Sequence, residues 1–477
     1  MRSSATRSRV ASPIRAARRG QVLPRGMRAD FPFRPASWPF FYGWVVLGAS
    51  TLGIVMSVPG QTMGVSVFAD HLLGATGLTR LELSNAYLVG TIASGVALPW
   101  GGSLVDRLGV RRMIVVSSLG LAAMLVFLAS SDALTRWLGS TQSLVPASAV
   151  AMGVLAIGFT GLRFSGQGML TLTSRTMVGR WFEKKRGLVA AISGPFVSFS
   201  FAGAPLLLSL WIARAGWRGA WIEMAAVVAI VMGGLGWLLF RDTPEECGLH
   251  VDGAATGPDA HSIQPSVDGE AEATSNLGSL DEGDFTRTEA LRTAAFWLVT
   301  LAIGSQAMVG TGITFHIVNL GAEMGLGERA AVAIFLPIAV VSAIVGFLAG
   351  AAVDRYPIRR LIMVMMTAQA IMFAAMAHFA DPLWRVGATL GWGIASGFYG
   401  PLTVAAIPNF FGRTHLGAIQ GSMMSAIVIA SALGPSALAA LRDAFDSYVP
   451  GLYSMVALPV LVFIAAPLTP DPQKPAA

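Results

Sequence analysis

Cysteine is all but missing: Cys247 stands alone among 477 residues, which excludes an internal disulfide framework and a cysteine-rich metal site. Charge is scarce too, with Asp, Glu, Lys and Arg making up 12% of the chain where a soluble domain carries about 25%. Hydrophobic residues reach 54% and the mean hydropathy is +0.63, so an ordinary water-soluble globular domain is excluded. The apolar runs do not alternate with period two, which argues against a membrane barrel and for helices, whose backbone groups bond within the segment. The chain also lacks a P-loop, an H-E-x-x-H sequence and any cysteine/histidine spacing suited to a metal. An ATP-driven pump on this chain, a membrane metalloprotease and a bound cofactor find no support, and no enzyme activity is expected.

What is present is a series of twelve apolar stretches, near residues 42–66, 83–104, 113–131, 147–174, 187–212, 218–240, 294–320, 329–352, 360–379, 384–408, 416–439 and 448–468. Each is long enough to cross about 30 Å of hydrocarbon as a helix. The expected fold is an all-α membrane protein with twelve transmembrane helices in two pseudo-symmetric six-helix bundles. Its expected division is a basic disordered arm at 1–40, an N-terminal bundle at 41–240, an acidic linker at 241–292, a C-terminal bundle at 293–468 and a tail at 469–477. The linker is rich in Gly, Ser, Thr and acids such as Glu245, Glu246, Glu270, Glu272, Asp281, Glu282 and Asp284. Such a stretch cannot build a core and reads as a flexible tether.

Cations set the expected orientation. Loops after spans 2, 4, 8 and 10 hold Arg107, Arg111, Arg112, Arg175, Arg180, Lys184, Lys185, Arg186, Arg355, Arg359, Arg360 and Arg413, whereas the opposite loops hold fewer. The rich side is expected to be cytoplasmic, with both termini there, in a bacterial inner (plasma) membrane. The formal charge of +7 then reflects orientation signals and contacts with lipid headgroups, and no nucleic-acid partner is expected. Residues 1–34 carry nine arginines and one acid, Asp30, without an apolar segment. They read as a cytoplasmic arm rather than a cleaved signal, with a start at Met27 or an organellar transit peptide as alternatives.

A short signature occurs twice, as Gly102-Ser-Leu-Val-Asp106-Arg107-Leu-Gly109-Val-Arg111-Arg112 and as Gly350-Ala-Ala-Val-Asp354-Arg355-Tyr-Pro-Ile-Arg359-Arg360. Each copy joins two hydrophobic stretches, so each is a hairpin between helices. Gly102 and Gly350 lie one turn before Asp106 and Asp354, which allows a neighbouring helix to approach until the carboxylate meets its N-terminus. In the second copy Tyr356-Pro357 replaces the glycine turn, which weakens the expectation there.

The duplicated halves, the tether and the G-x-x-x-D-R-x-G-x-R-R signature together resemble the major facilitator superfamily over residues 40–470. A second cue, Arg163-Phe-Ser-Gly-Gln167-Gly168, is similar to that family's R-x-x-Q-G-x-G with one extra residue, an insertion expected to rotate Gln167 by about 100° relative to Arg163. Tyr42-Gly43-Trp44 and Arg180-Trp181-Phe182-Glu-Lys-Lys-Arg186-Gly187 resemble the bacterial monocarboxylate and oxalate/formate branch. Relatives in that branch carry a cation inside span 8 or span 11, and this chain has none in either. The resemblance implies secondary transport by rocking of the halves, with Asp106, Arg107, Arg111, Gly350, Asp354 and Arg355 in a conformational latch.

Within the spans, Arg163 is the prominent charge, and no acid lies at mid-depth to neutralise it. Its readings are an anchor for an anionic substrate, since a guanidinium fork takes a carboxylate bidentately, and a structural or proton-coupling role with Gln167. His316 is a candidate proton carrier, with a hydrogen-bonded packing role as the plainer reading. Gln61 beside Pro59-Gly60, Gln306, Asn319 and Tyr399 are further candidates to line a cavity. The expected substrate is a small organic anion of monocarboxylate type, moved with protons or against a counter-anion by a monomer in the lipid bilayer. A drug or metabolite exporter and a non-transporting sensor are the alternatives.

Overall fold

Backbone groups in hydrocarbon must find partners inside their own segment, and the apolar stretches of this chain meet the requirement as helices. The computed structural model describes residues 30–141, 146–253 and 284–472; the outer N-terminal arm, the middle of the tether with Glu270, Glu272, Asp281 and Glu282, and the last five residues of the tail lie outside it. Among the described residues no strand occurs.

Spans 1 to 4 are Gly43–Ser66, Arg80–Leu108, Val110–Ala129 and Ala147–Trp181. Spans 7 to 12 are Ala294–Glu323, Arg329–Val353, Ile358–Met376, Pro382–Phe411, Leu416–Phe445 and Tyr448–Leu468. Between them runs one helical stretch, Arg186–Leu239, which makes spans 5 and 6: Gly216, at φ 71° and ψ 164°, leaves the helical region and turns the chain. A short helix at Ser131–Thr141 fills what the hydrophobic pattern left as a loop. Its first turn carries Asp132, which binds Arg136 and Arg218 at 3.1 and 2.6 Å.

The two signature hairpins reach similar turns by different means. Gly109 takes φ +83°, a region closed to most side chains, and ends span 2. In the second copy Pro357 stands at the start of span 9 with φ −57° and ψ 134°, supplying the extended residue before the helix. Span 1 is interrupted: a helix over Gly43–Val55 gives way to a 3-10 turn at Val58–Gly60 and resumes at Thr62–Ser66. Pro59 has no amide to donate, so the ladder breaks there.

Across the halves, span 2 packs along span 11 and span 5 along span 8. Apolar burial gives little drive between helices in lipid, so close approach of small residues matters. A β-carbon on Gly187 would collide with the carbonyl oxygen of Gly350, and one on Gly102 with that of Gly417. The two described ends of the chain share one face of the bundle. Phe31 O accepts from Arg111 and Arg241, and Thr469 O accepts from Arg359.

The tether is ordered where it leaves and rejoins the bundle, contrary to the reading of the whole stretch as flexible. Arg241 and Cys247 are buried. Asp252 accepts from the amides of Glu183, Lys184 and Lys185, and Asp284 from those of Arg413 and Thr414. The two acids thus seat on equivalent loops, before span 5 and before span 11, where free amides offer what composition alone does not reveal.

Candidate functional site

Span 4 carries the candidate site on an irregular helix. Residues Phe164–Leu170 form a π-helical turn, which absorbs one extra residue per turn. The residue inserted into the R-x-x-Q-G-x-G pattern is taken up there, so the expected rotation of the helix beyond it does not develop. Twelve ordinary helical steps from Arg163 to Arg175 would leave them about 120° apart, whereas eleven leave them about 20° apart. The bulge therefore sets both arginines on one face, separated by about 18 Å of helix rise.

The bulge fits the break in span 1. A β-carbon on Gly60 would lie 2.8 Å from Gly166 Cα and 2.8 Å from Leu162 O. At this junction Gln61 donates to Ser57 Oγ at 3.0 Å, and Thr171 Oγ1 donates to the same oxygen at 3.2 Å.

Arg163 is 2% exposed. Its Nη1 donates to Tyr87 OH at 2.7 Å and to Thr62 Oγ1 at 3.1 Å, and its guanidinium lies 5.2 Å from the centre of the Tyr87 ring. No described carboxylate pairs with it. Arg163 Nε and Gln167 Oε1 are buried without a hydrogen-bond partner. A guanidinium keeps its charge in such a place, so the site holds a cation stabilised only by neutral oxygens and a ring face. Neither Tyr87 nor Thr62 was singled out in the sequence, since a hydroxyl on another span leaves no spacing signal.

Arg175, assigned above to a loop, lies inside the helix Thr171–Trp181. The polar run before it continues the helix, with Ser174 donating to Leu170 O of the preceding turn at 2.8 Å and Thr171 donating to Ser57 of span 1. Its Nη1 reaches Met424 Sδ of span 11 at 3.7 Å, and Tyr399 of span 10 is near enough to interact with it electrostatically.

The other candidates disperse. Gln306 donates to Ser396 at 3.0 Å and accepts from Gln369 at 3.1 Å, a network inside the C-terminal half. His316 Nε2 faces Pro435 O and Nδ1 faces Tyr448 OH, both at 3.0 Å. A carbonyl only accepts, so Nε2 carries the proton and both ring nitrogens are engaged. Asn319 is exposed on the next turn beside Tyr448.

At the arginine-rich face the two aspartates of the signatures occupy equivalent positions. Asp106 accepts from Gly417 N at 2.9 Å and Ala418 N at 2.7 Å, the start of span 11. Asp354 accepts from Gly187 N at 2.7 Å and Leu188 N at 3.1 Å, the start of span 5. Each acid thus caps a helix of the other half. The Tyr356-Pro357 turn does not prevent this, because the backbone reaches the same place.

Asp106 pairs with Arg180 at 2.8 Å within the first half, and Arg107 is exposed. Arg111 donates to Trp237 O and Phe31 O on its own half, and Arg355 is exposed. Further bridges between the halves are Thr176 to Gln420 at 3.1 Å, Arg186 to Asn409, and Arg413 to Arg180 O. A groove of about 800 Å³ between spans 9, 10 and 12, lined by Met363, Ile371, Leu390 and Phe463, lies on the outer surface away from span 4.

Comparison with known proteins fits this arrangement. A family model described as Major Facilitator Superfamily matches residues 45–435. A probable sulfoacetate transporter, SauU of Cupriavidus necator, is 28% identical over 198 residues, which is 39% of this chain and 38% of that protein. The chain resembles the crystal structure of the Escherichia coli fucose:proton symporter FucP, with a TM-score of 0.59, 13% identity and coverage of 91% and 100% of the two chains. The proton:xylose symporter XylE gives 0.60 at 17% identity, covering 89% and 95%. The human organic anion transporter MFSD10 gives 0.61 at 14%, covering 89% and 99%.

Proposed function

The chain belongs to the major facilitator superfamily, a family of membrane transporters, and we propose that it carries a small organic anion bearing a carboxylate or sulfonate by alternating access. The observation that carries this reading is Arg163, a buried cation without a described carboxylate partner on a helix built irregularly around it. Burying such a charge costs several kcal/mol on most scales, roughly 2.5 or more, and an anionic substrate would offset that cost. The partial match to a protein described as a probable sulfoacetate transporter supports the same class of cargo.

Proton symport and anion exchange are both compatible with an anionic cargo. With both nitrogens of His316 occupied, exchange is the simpler scheme, because it needs no titrating side chain at mid-depth. In this scheme the arginine-rich face is cytoplasmic, and the inter-half contacts there hold the carrier closed on that side.

The test is counterflow in proteoliposomes with labelled acetate, oxalate and sulfoacetate against a labelled lipophilic cation. Saturable counterflow of an anion that Arg163→Gln reduces by about tenfold or more supports the reading. Uptake of the cation alone, or full activity in both Arg163→Lys and Arg163→Gln, refutes it.

A further inference from the structure

Arg175, Gln420 and Tyr399 lie where spans 4, 11 and 10 meet between the halves, and each keeps donor capacity that the contacts described above leave unused. Arg175 projects from span 4 and is half-buried, while its neighbours Ser174 and Thr176 are fully buried. It interacts with the Met424 sulfur, a weak acceptor, and with Tyr399; no described acid faces it. Gln420 lies one turn from Met424 on the same face of span 11. Its oxygen accepts from Thr176, but its buried Nε2 donates to nothing.

We propose that Arg175, Gln420 Nε2 and the Tyr399 hydroxyl form an anion-binding site between the halves, taking the carboxylate or sulfonate of the transported solute. This rests on the reading of the cargo as an organic anion and gives its charge a second station, nearer the arginine-rich face than the one at Arg163. A guanidinium fork and an amide N–H are donors with no competing acceptor at hand, so an incoming oxyanion supplies what both lack. The side chain of Arg175 leans back toward the start of its helix, away from the arginine-rich face and toward the membrane centre.

The site is distinct from Arg163. About 18 Å of helix separates the two arginines, too far for one small anion to touch both. Arg163 is enclosed by Tyr87 and Thr62 of its own half, whereas Arg175 meets groups of the other half. An anion at Arg175 therefore bridges the two halves one to two turns before Arg180 on span 4. Separation of the halves at that face withdraws Gln420 and Tyr399 from Arg175, which weakens the hold as the exit opens.

The experiment measures sulfoacetate and oxalate binding by calorimetry and by thermal stabilisation, using purified protein, Arg175→Gln, Arg175→Lys, Tyr399→Phe and Arg163→Gln. A methanethiosulfonate labelling series on Met424→Cys, with and without sulfoacetate, gives a second readout that leaves Arg175 intact. The site is supported if Arg175→Gln weakens binding by about tenfold or more while its melting temperature without ligand is kept, and if sulfoacetate slows labelling of Met424→Cys. Binding unchanged in Arg175→Gln, or labelling of Met424→Cys unaffected by a bound anion, overturns the site and leaves the anion reading standing. Absence of any anion binding to the unaltered protein overturns both.

Discussion

Gly60 and Gly166 exclude each other's side chains: a β-carbon on either would sit 2.8 Å from the α-carbon of the other. This contact seats the break of span 1 in the π turn of span 4. Replacing either residue with alanine forces two backbones apart, at a cost of about 1–3 kcal/mol. Gly166→Ala is expected to lower the melting temperature and to reduce counterflow more than Gly74→Ala, where open space surrounds the glycine. Equal behaviour of the two variants would remove the junction from the mechanism.

The paired caps make a prediction about access. Asp106→Ala and Asp354→Ala each remove a helix cap worth about 1 kcal/mol, and the first also breaks the pair with Arg180. A reporter cysteine at Thr176, a buried position between the halves, should label faster from the arginine-rich face in both variants. The increase should reach about tenfold for Asp106→Ala. Unchanged labelling would show that the caps do not hold the halves together.

Cys247 should be inert. Burial pushes its thiol up to about 12, with Glu246, Asp30 and Asp242 raising it further against the opposing pull of Arg241. A raised value means less thiolate at neutral pH, about a thousandfold less than for an exposed thiol near 9. Maleimide at pH 7 should leave the folded protein unmodified by intact mass spectrometry, label it after denaturation, and begin to react with the folded form only as the pH climbs toward 12. Rapid labelling at pH 7 would contradict the packing of this segment.

The tether acids should contribute to stability in similar amounts. Asp252 satisfies amides before span 5 and Asp284 satisfies those before span 11, so alanine at either should cost about 1–2 kcal/mol. Thermal unfolding in detergent measures this. A loss from Asp284→Ala with none from Asp252→Ala would deny the equivalence of the two loops.

Much of the fold was legible because apolar length and the doubled signature report directly on helices and on repetition. The signature also pointed to Asp106 and Asp354, since a carboxylate one turn beyond a small residue has few uses other than meeting a helix that approaches closely. The arginines of that signature were less legible. That Arg180 reaches Asp106 depends on how span 4 ends, and span 4 runs through Trp181 past a Thr- and Ser-rich stretch that looked like its terminus.

The same misread boundary concealed Arg175. An inserted residue between Arg163 and Gln167 signals a change of register, but the sequence does not say whether the helix rotates or bulges. The choice of a bulge is made by Gly60 on another span, beyond the reach of any local pattern. Gln420 was likewise illegible, because a glutamine in an apolar span announces a hydrogen bond without showing that one of its two ends goes unused.

One consequence of the crossed caps concerns thresholds. Asp106 holds a helix of the second half and Asp354 a helix of the first, so opening that face forfeits both caps, while the Arg180 pair stays within the first half. Two caps at about 1 kcal/mol each and three hydrogen bonds across the halves, from Thr176, Arg186 and Arg413, at about 1 kcal/mol each, approach the ~5.5 kcal/mol that inverts a 1:99 population. A solute gripped equally in both arrangements leaves such a barrier untouched, however tightly it is held. Discrimination in turnover can then exceed discrimination in occupancy, and a tight ligand that cannot tell the two arrangements apart would act as a plug.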